Sequence, residues 1–270
     1  MIRHYSTRDF FRHMPNALLA RYFQEQGLFC DFDFAAMKEA KPDLLFAKWQ
    51  SLPDGQRNRI DAELCEISDM SSEKGFLAII DEANWQYRDS PEQIPGFVAK
   101  LSALGSHHER AMVTFLDHRN FWKAATHFHH ADTLIYWRKR KNFPSRSAAT
   151  DPDSLKRLAR SISEYFSQEE GRGRNCVVET FRRGNRDYYF AYPEDHSQRS
   201  IEWVDGEFHP RPHNPAFEVV FVYMQKGRMA RHELPWFKQS YRATVRHVCR
   251  SDTQGGGIAG QTQRTKSLRP

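Results

Sequence analysis

Apolar residues recur every three or four positions along the first 170 residues, then alternate or run together between tight turns beyond Gly171-Arg172-Gly173. The first habit predicts helices with one buried face and the second predicts strands. Ser6 followed by Asp9 opens a helical stretch carrying Phe10, Phe11, Met14, Leu18, Leu19, Tyr22 and Phe23, in which Pro15 imposes a late start or a kink and Gly27 is the stop. The tract from Phe32 to Trp49 repeats the spacing with an interruption at Pro42, and Pro53-Asp54-Gly55 turns the chain into a helix bearing Ile60, Leu64, Ile67 and Met70. Residues 75–80 form a short apolar run that suits a strand or a buried helix, and the acids Asp81 and Glu82 with their helical neighbours favour helix. With a further start bracketed by Pro91 and Pro95-Gly96, the first 100 residues read as four or five short helices.

Two more helices are expected between His107 and Trp137, parted by the polar stretch Asp117 to Asn120, the second ending in Arg138-Lys139-Arg140-Lys141. Residues 145–153 are polar and proline-bearing, as in a linker, and Asp153 is placed to cap a helix through Leu158, Ile162, Tyr165 and Phe166. Cys176–Arg183, a Gly184-Asn185 turn and Asp187–Tyr192 predict a hairpin, and Ile201–Val204, Asp205-Gly206 and Phe208 a second. Residues 217–224 are apolar on both faces, which fits a central strand turning at Lys226-Gly227 into a weaker partner. The stretch 209–215, with its three prolines, reads as a stiff connection. Pro235 to Val248 outlines an amphipathic helix, and 251–270 reads as a disordered basic tail. The fold expected is α+β: an N-terminal helical bundle over 1–150, then an antiparallel β-meander flanked by helices over 151–250.

Charge changes this picture in one respect. The chain carries a formal +6, but the excess of Lys and Arg over Asp and Glu is −6 for residues 28–100, +5 for 101–150 and +6 for 235–270. The final segment equals the whole excess, so attraction for a polyanion has to come from local patches. No apolar run is long enough to span a bilayer and the first residues lack a signal-peptide core, so no membrane association and a cytoplasmic location are expected. Cys30, Cys65, Cys176 and Cys249 are too far apart for a CxxC pair and read as reduced thiols.

Three groups could carry chemistry. Arg172, Arg174, Arg182, Arg183 and Arg186 bracket one hairpin with aromatic side chains interleaved, as a grip on nucleic acid would need, and Arg138, Lys139, Arg140 and Lys141 add a second basic patch. A solvated, aggregation-resistant edge explains the same arginines. Glu179, Glu202 and Glu218, with Asp187, Glu194 and Asp195, lie on or beside strands, where a metal-dependent nuclease would hold Mg²⁺ or Mn²⁺, yet the accompanying lysine is missing because Lys226 stands alone between 157 and 237. His127, His130 and Asp132 are imidazole and carboxylate within two helical turns, although their spacing is not that of a zinc helix. The leading expectation is a non-enzymatic nucleic-acid-binding or partner-binding protein without a cofactor. The rivals are a Mg²⁺- or Mn²⁺-dependent phosphodiesterase and a scaffold subunit whose mark would be exposed Trp and Phe.

Overall fold

The computed structural model describes residues 5–134, 137–141, 147–204, 206–224 and 229–233. The helix and basic tail expected after 234 lie outside the described residues, as do the turns at Asp205 and Lys226-Gly227. The protein is α+β, and its chain forms two compact units, one of residues 1–137, 181–185 and 201–211, the other of 138–180, 186–200 and the described residues from 212 on.

The helical unit begins with α1 (Thr7–His13), whose Ser6 side chain accepts from the Asp9 amide, and α2 (Asn16–Glu25); Pro15 stands between them and breaks the helix outright. Residues 28–42 are a correction to the helical expectation for 32–49. They turn irregularly, with Phe29 at φ 55° and Ala40 at φ 59°, and helix returns only as α3 (Asp43–Gln50). The long helix α4 (Asp54–Met70) meets α5 (Glu73–Gln86) so closely that a Cβ on Gly75 would lie 2.1 Å from the Met70 carbonyl oxygen. The run 75–80 is therefore helical, and its glycine is what lets two helices join across two residues. Then follow α6 (Gln93–Ser102), α7 (His107–Asp117) and α8 (Arg119–Thr133). The expected polar break contracts to His118, whose ring meets Phe97 edge to face at 5.0 Å and stacks on Phe121 at 5.3 Å. Leu19, Phe23, Leu64 and Phe128 are buried, as the three-and-four spacing placed them, and so are Ile79 and Met112.

In the second unit, Arg138–Lys141 forms strand β1 and not the end of a helix, because these residues pair antiparallel with the late strand β7 (Met229–Glu233). Backbone pairing to a distant segment has overridden a local charge pattern that equally suits a helix C-terminus. Asp151, rather than Asp153, caps α9 (Pro152–Glu170) by accepting from the Ser154 amide at 2.9 Å, with Pro152 in the first turn. Gly171 ends the helix at φ 68°, as its place in the sequence required.

Strands β2 (Cys176–Arg183) and β3 (Arg186–Pro193) flank the Gly184-Asn185 turn, and β6 (Val219–Met224) is the central strand anticipated from its apolar character. The five-stranded sheet runs β1-β7-β6-β3-β2, with Phe190 opposite Val220 and Phe221 opposite His232. Ile162, Tyr165 and Phe166 of α9 pack on Ala191, Phe217 and Val219. One refinement of the meander matters for function: β4 (Gln198–Val204) and β5 (Glu207–His213) form a separate two-stranded sheet inserted between the neighbours β3 and β6. The supposed connection 209–215 is largely the second strand of this arm.

Candidate functional site

The arginines singled out from sequence are not one electropositive face. The Arg172 side chain is 8% exposed: its guanidinium donates to Glu170 and to Asp195 at 2.8 Å and lies 3.9 Å above the Phe217 ring. Burial pulls the Arg172 pKa down, and the hydrogen bonds to Asp195 and Glu170 outweigh it and raise the value. Arg183 is likewise neutralised, with Asp81 and Asp132 both accepting from it and the Phe128 ring 5.4 Å away. Each of these two arginines, expected from the sequence to contact nucleic acid, is held by two acids inside its own unit. Arg174, Arg182 and Arg186 are exposed. Arg182 and Arg88 lie 5.9 and 4.6 Å from the Trp85 ring. The side chains of Arg138, Lys139, Arg140 and Lys141 lie outside what the structure describes.

Two of the strand acids do come together. Tyr192 donates a hydrogen bond to Glu218 and has Glu179 beside it; burial first, then the two carboxylates, raise the phenol pKa and hold it protonated. Glu202 is elsewhere, on β4, within 3.8 Å of Arg211. Asp195 is taken by Arg172, and Glu194 accepts from Asn175 and Asn214 at 2.6 and 2.9 Å. The histidine group does not assemble either. His127 Nδ1 donates to the Lys123 carbonyl while its ring lies 4.3 Å from Phe181, and Asp132 serves Arg183. Among the described residues no three His, Cys, Asp or Glu side chains are grouped to hold a metal ion.

A buried carboxyl escaped the sequence reading. Glu82 is 1% exposed, its Oε1 accepts from Gln86 Nε2 at 2.6 Å and its Oε2 has no hydrogen-bond partner. Burial pushes its pKa up to about 7, against smaller opposing effects of Gln86 and Arg183. Its position in the apolar run of α5, one turn beyond Ala78, was the available signal.

Among the described residues, three of the exposed large apolar side chains lie together on the β4–β5 arm. Alternation puts Arg199, Ile201 and Trp203 on one face of β4 and Phe208, Pro210 and Pro212 on one face of β5, and the Trp203–Phe208 contact joins the two. These six share one face. The Trp203 and Phe208 rings meet edge to face at 5.7 Å, and Ile201, Trp203 and Phe208 are 65%, 72% and 57% exposed. The opposite face carries Glu202, Glu207, His209 and Arg211, which pair among themselves. Alternation of Ile201 and Trp203 with polar neighbours announced a two-faced strand, but nothing local said that its apolar face stays open.

The chain matches no protein-family model, no curated protein and no solved structure. Concerning membranes, no helix among the described residues is long and apolar enough to cross one.

Proposed function

We propose that this is a non-enzymatic partner-binding protein whose binding surface is the apolar face of the β4–β5 arm. The supporting observation is the exposure of Ile201, Trp203 and Phe208 side by side on a hairpin outside the main sheet. Leaving such side chains in water contributes nothing to folding, whereas desolvated aromatic clusters dominate association free energies. The arm from Gln198 to His213 carries Arg199 and Arg211 against Glu202, Asp205 and Glu207, a formal charge of −1, so its occupant is a protein surface and not a polyanion. Pro210 and Pro212 have no N–H, which takes from β5 donors that an added strand would need. Recognition through the apolar face is what remains.

The test is quantitative recovery of protein partners by the full chain and by W203A/F208A, followed by binding of the purified partner. Loss of two anchors of this kind should weaken binding by about 30-fold or more with the fold intact by circular dichroism. Equal affinity of the two chains would overturn the reading. Nucleic acid remains the second reading because Arg88 and Arg182 flank Trp85, a cation and stacking platform in miniature. It requires affinity for single-stranded DNA that falls with rising salt and is lost in R88A/R182A. A Mg²⁺- or Mn²⁺-dependent phosphodiesterase would instead lose metal-dependent cleavage on Glu218→Ala.

A further inference from the structure

We infer that the loop between α2 and α3 is a binding site for a methylated ammonium group, a place that Lys48 of the same chain fills. The site does not rest on the reading of the arm. Residues 28–42 contain no helix or strand, yet they are tied down. The Asn16 side-chain amide donates to the Met37 carbonyl at 2.6 Å, the Asn16 backbone amide donates to the Glu39 carboxylate, and Phe34 and Met37 are buried. A long irregular segment held in one shape within a compact unit is commonly a working one. Phe29, at φ 55°, takes a left-handed backbone that bulky residues rarely adopt, and such strain persists only where the surroundings fix it.

Two rings and a carboxylate converge there. The Lys48 ammonium lies 5.8 Å from the Phe29 ring centroid and 5.5 Å from that of Phe32, and it donates to both oxygens of Asp31 at 3.2 Å. Both rings are backed by the core: Phe29 rests on the buried Phe23 and Phe32 meets the buried Phe34 edge to face, each at 4.8 Å. Asp33 accepts from the Ala35 and Ala36 amides, which leaves Asp31 to supply the negative charge. Aromatic faces beside a carboxylate hold an ammonium through its field, without calling on its N–H donors.

Lys48 is a weak occupant. Its side chain is 39% exposed and that of Asp31 84%, and an ion pair so open to water stabilises little. Holding a lysine costs its rotamer freedom, and a primary ammonium gives up strong hydration for ring faces that return less. An ammonium bearing methyl groups is less hydrated and offers apolar surface to the same rings, so it competes for the place. The rings and Asp31 engage only the charged head, so the group can belong to a methylated lysine or to a choline headgroup.

NMR titration of the full chain with tetramethylammonium, following the backbone amides of residues 29–32, tests this. The ion should shift these amides. Lys48→Ala, which empties the site, should bind it about two- to five-fold more tightly than the wild type, as expected if Lys48 fills the place for roughly half to four-fifths of the time. Asp31→Asn and Phe32→Ala, each added to Lys48→Ala, should weaken binding about five-fold or more. Unmethylated ammonium at the same concentration should shift the amides less. A trimethyllysine peptide and phosphocholine then tell the two sources apart, and tighter binding of either one supports the site and names its origin. The inference is overturned if tetramethylammonium leaves the amides of Lys48→Ala unmoved, if unmethylated ammonium binds as well, or if neither Asp31→Asn nor Phe32→Ala weakens binding. Asp31 is exposed, so Asp31→Asn keeps the fold and decides the matter even where Phe32→Ala disturbs the loop; circular dichroism checks each variant.

Discussion

Glu82 shows how one carboxyl makes stability depend on pH. Its folded-state pKa, about 7, lies above the ordinary glutamate value of 4.5, so the folded protein holds more proton than the unfolded chain between those values. Stability is greatest on the acid side of this window, falls as pH rises through it and levels off above 7. The full effect is at most about 3.5 kcal/mol, since each tenfold change in proton affinity is worth about 1.4 kcal/mol. Urea denaturation at pH 5 and pH 8 should show the wild type losing stability over that interval and Glu82→Gln losing far less. The Arg172 clasp has the opposite sign. Although burial opposes it, the Arg172 hydrogen bond holds Asp195 below its usual range, so this contribution is intact above about pH 4 and vanishes as pH falls through the lowered pKa. Removing the buried guanidinium in Arg172→Ala strands two acids and should cost about 2–4 kcal/mol by chemical denaturation at neutral pH. Arg183→Ala should cost less, about 1–2 kcal/mol, since Asp81 and Asp132 are each 44% exposed and water takes up the released charge.

Helices were the most legible elements, because caps and breakers act locally. Ser6, Pro15, Gly171 and the apolar spacing on α4 marked their elements directly, whereas the run in α5 also suited a strand and the cap of α9 fell at Asp151 and not Asp153. Strand β1 was illegible for the opposite reason: Arg138–Lys141 has no apolar alternation, and what makes it a strand is a partner some 90 residues away. Order within the sheet was equally hidden, since pairing of β3 with β6 skips the two strands between them. The candidate site was half visible. Residue types in the arm could be read, but whether acids neutralise Arg172 and Arg183, or whether Trp203 is covered, depends on contacts between segments far apart in sequence. The join of α4 to α5 gives an element-level prediction. Gly75→Ala forces a methyl group into the Met70 carbonyl and should lower stability by about 2 kcal/mol or more, seen as a drop in Tm of several degrees.

Taken together, the two units divide labour between hidden clasps and an open arm. Leu19, Leu64 and Phe128 of the helical unit and Ile162 and Phe166 of α9 are buried, and two of the arginines that looked like a ligand grip, Arg172 and Arg183, are held by acids within the fold. Surface variants should therefore separate cleanly. W203A/F208A should leave Tm within about one degree of the wild type, because side chains already in water give up little on truncation, while abolishing arm-mediated association. A large fall in Tm would mean that the arm is a structural member.

The neck of that arm is tied independently of the arm: the Asp195 amide donates to the Pro215 carbonyl at 2.7 Å, Phe217 donates to Pro193 at 3.0 Å, and Glu194 bridges to Ala216. Replacing residues 197–214 by a short glycine-containing turn should keep these ties and the alignment of β3 with β6, checked by circular dichroism and Tm.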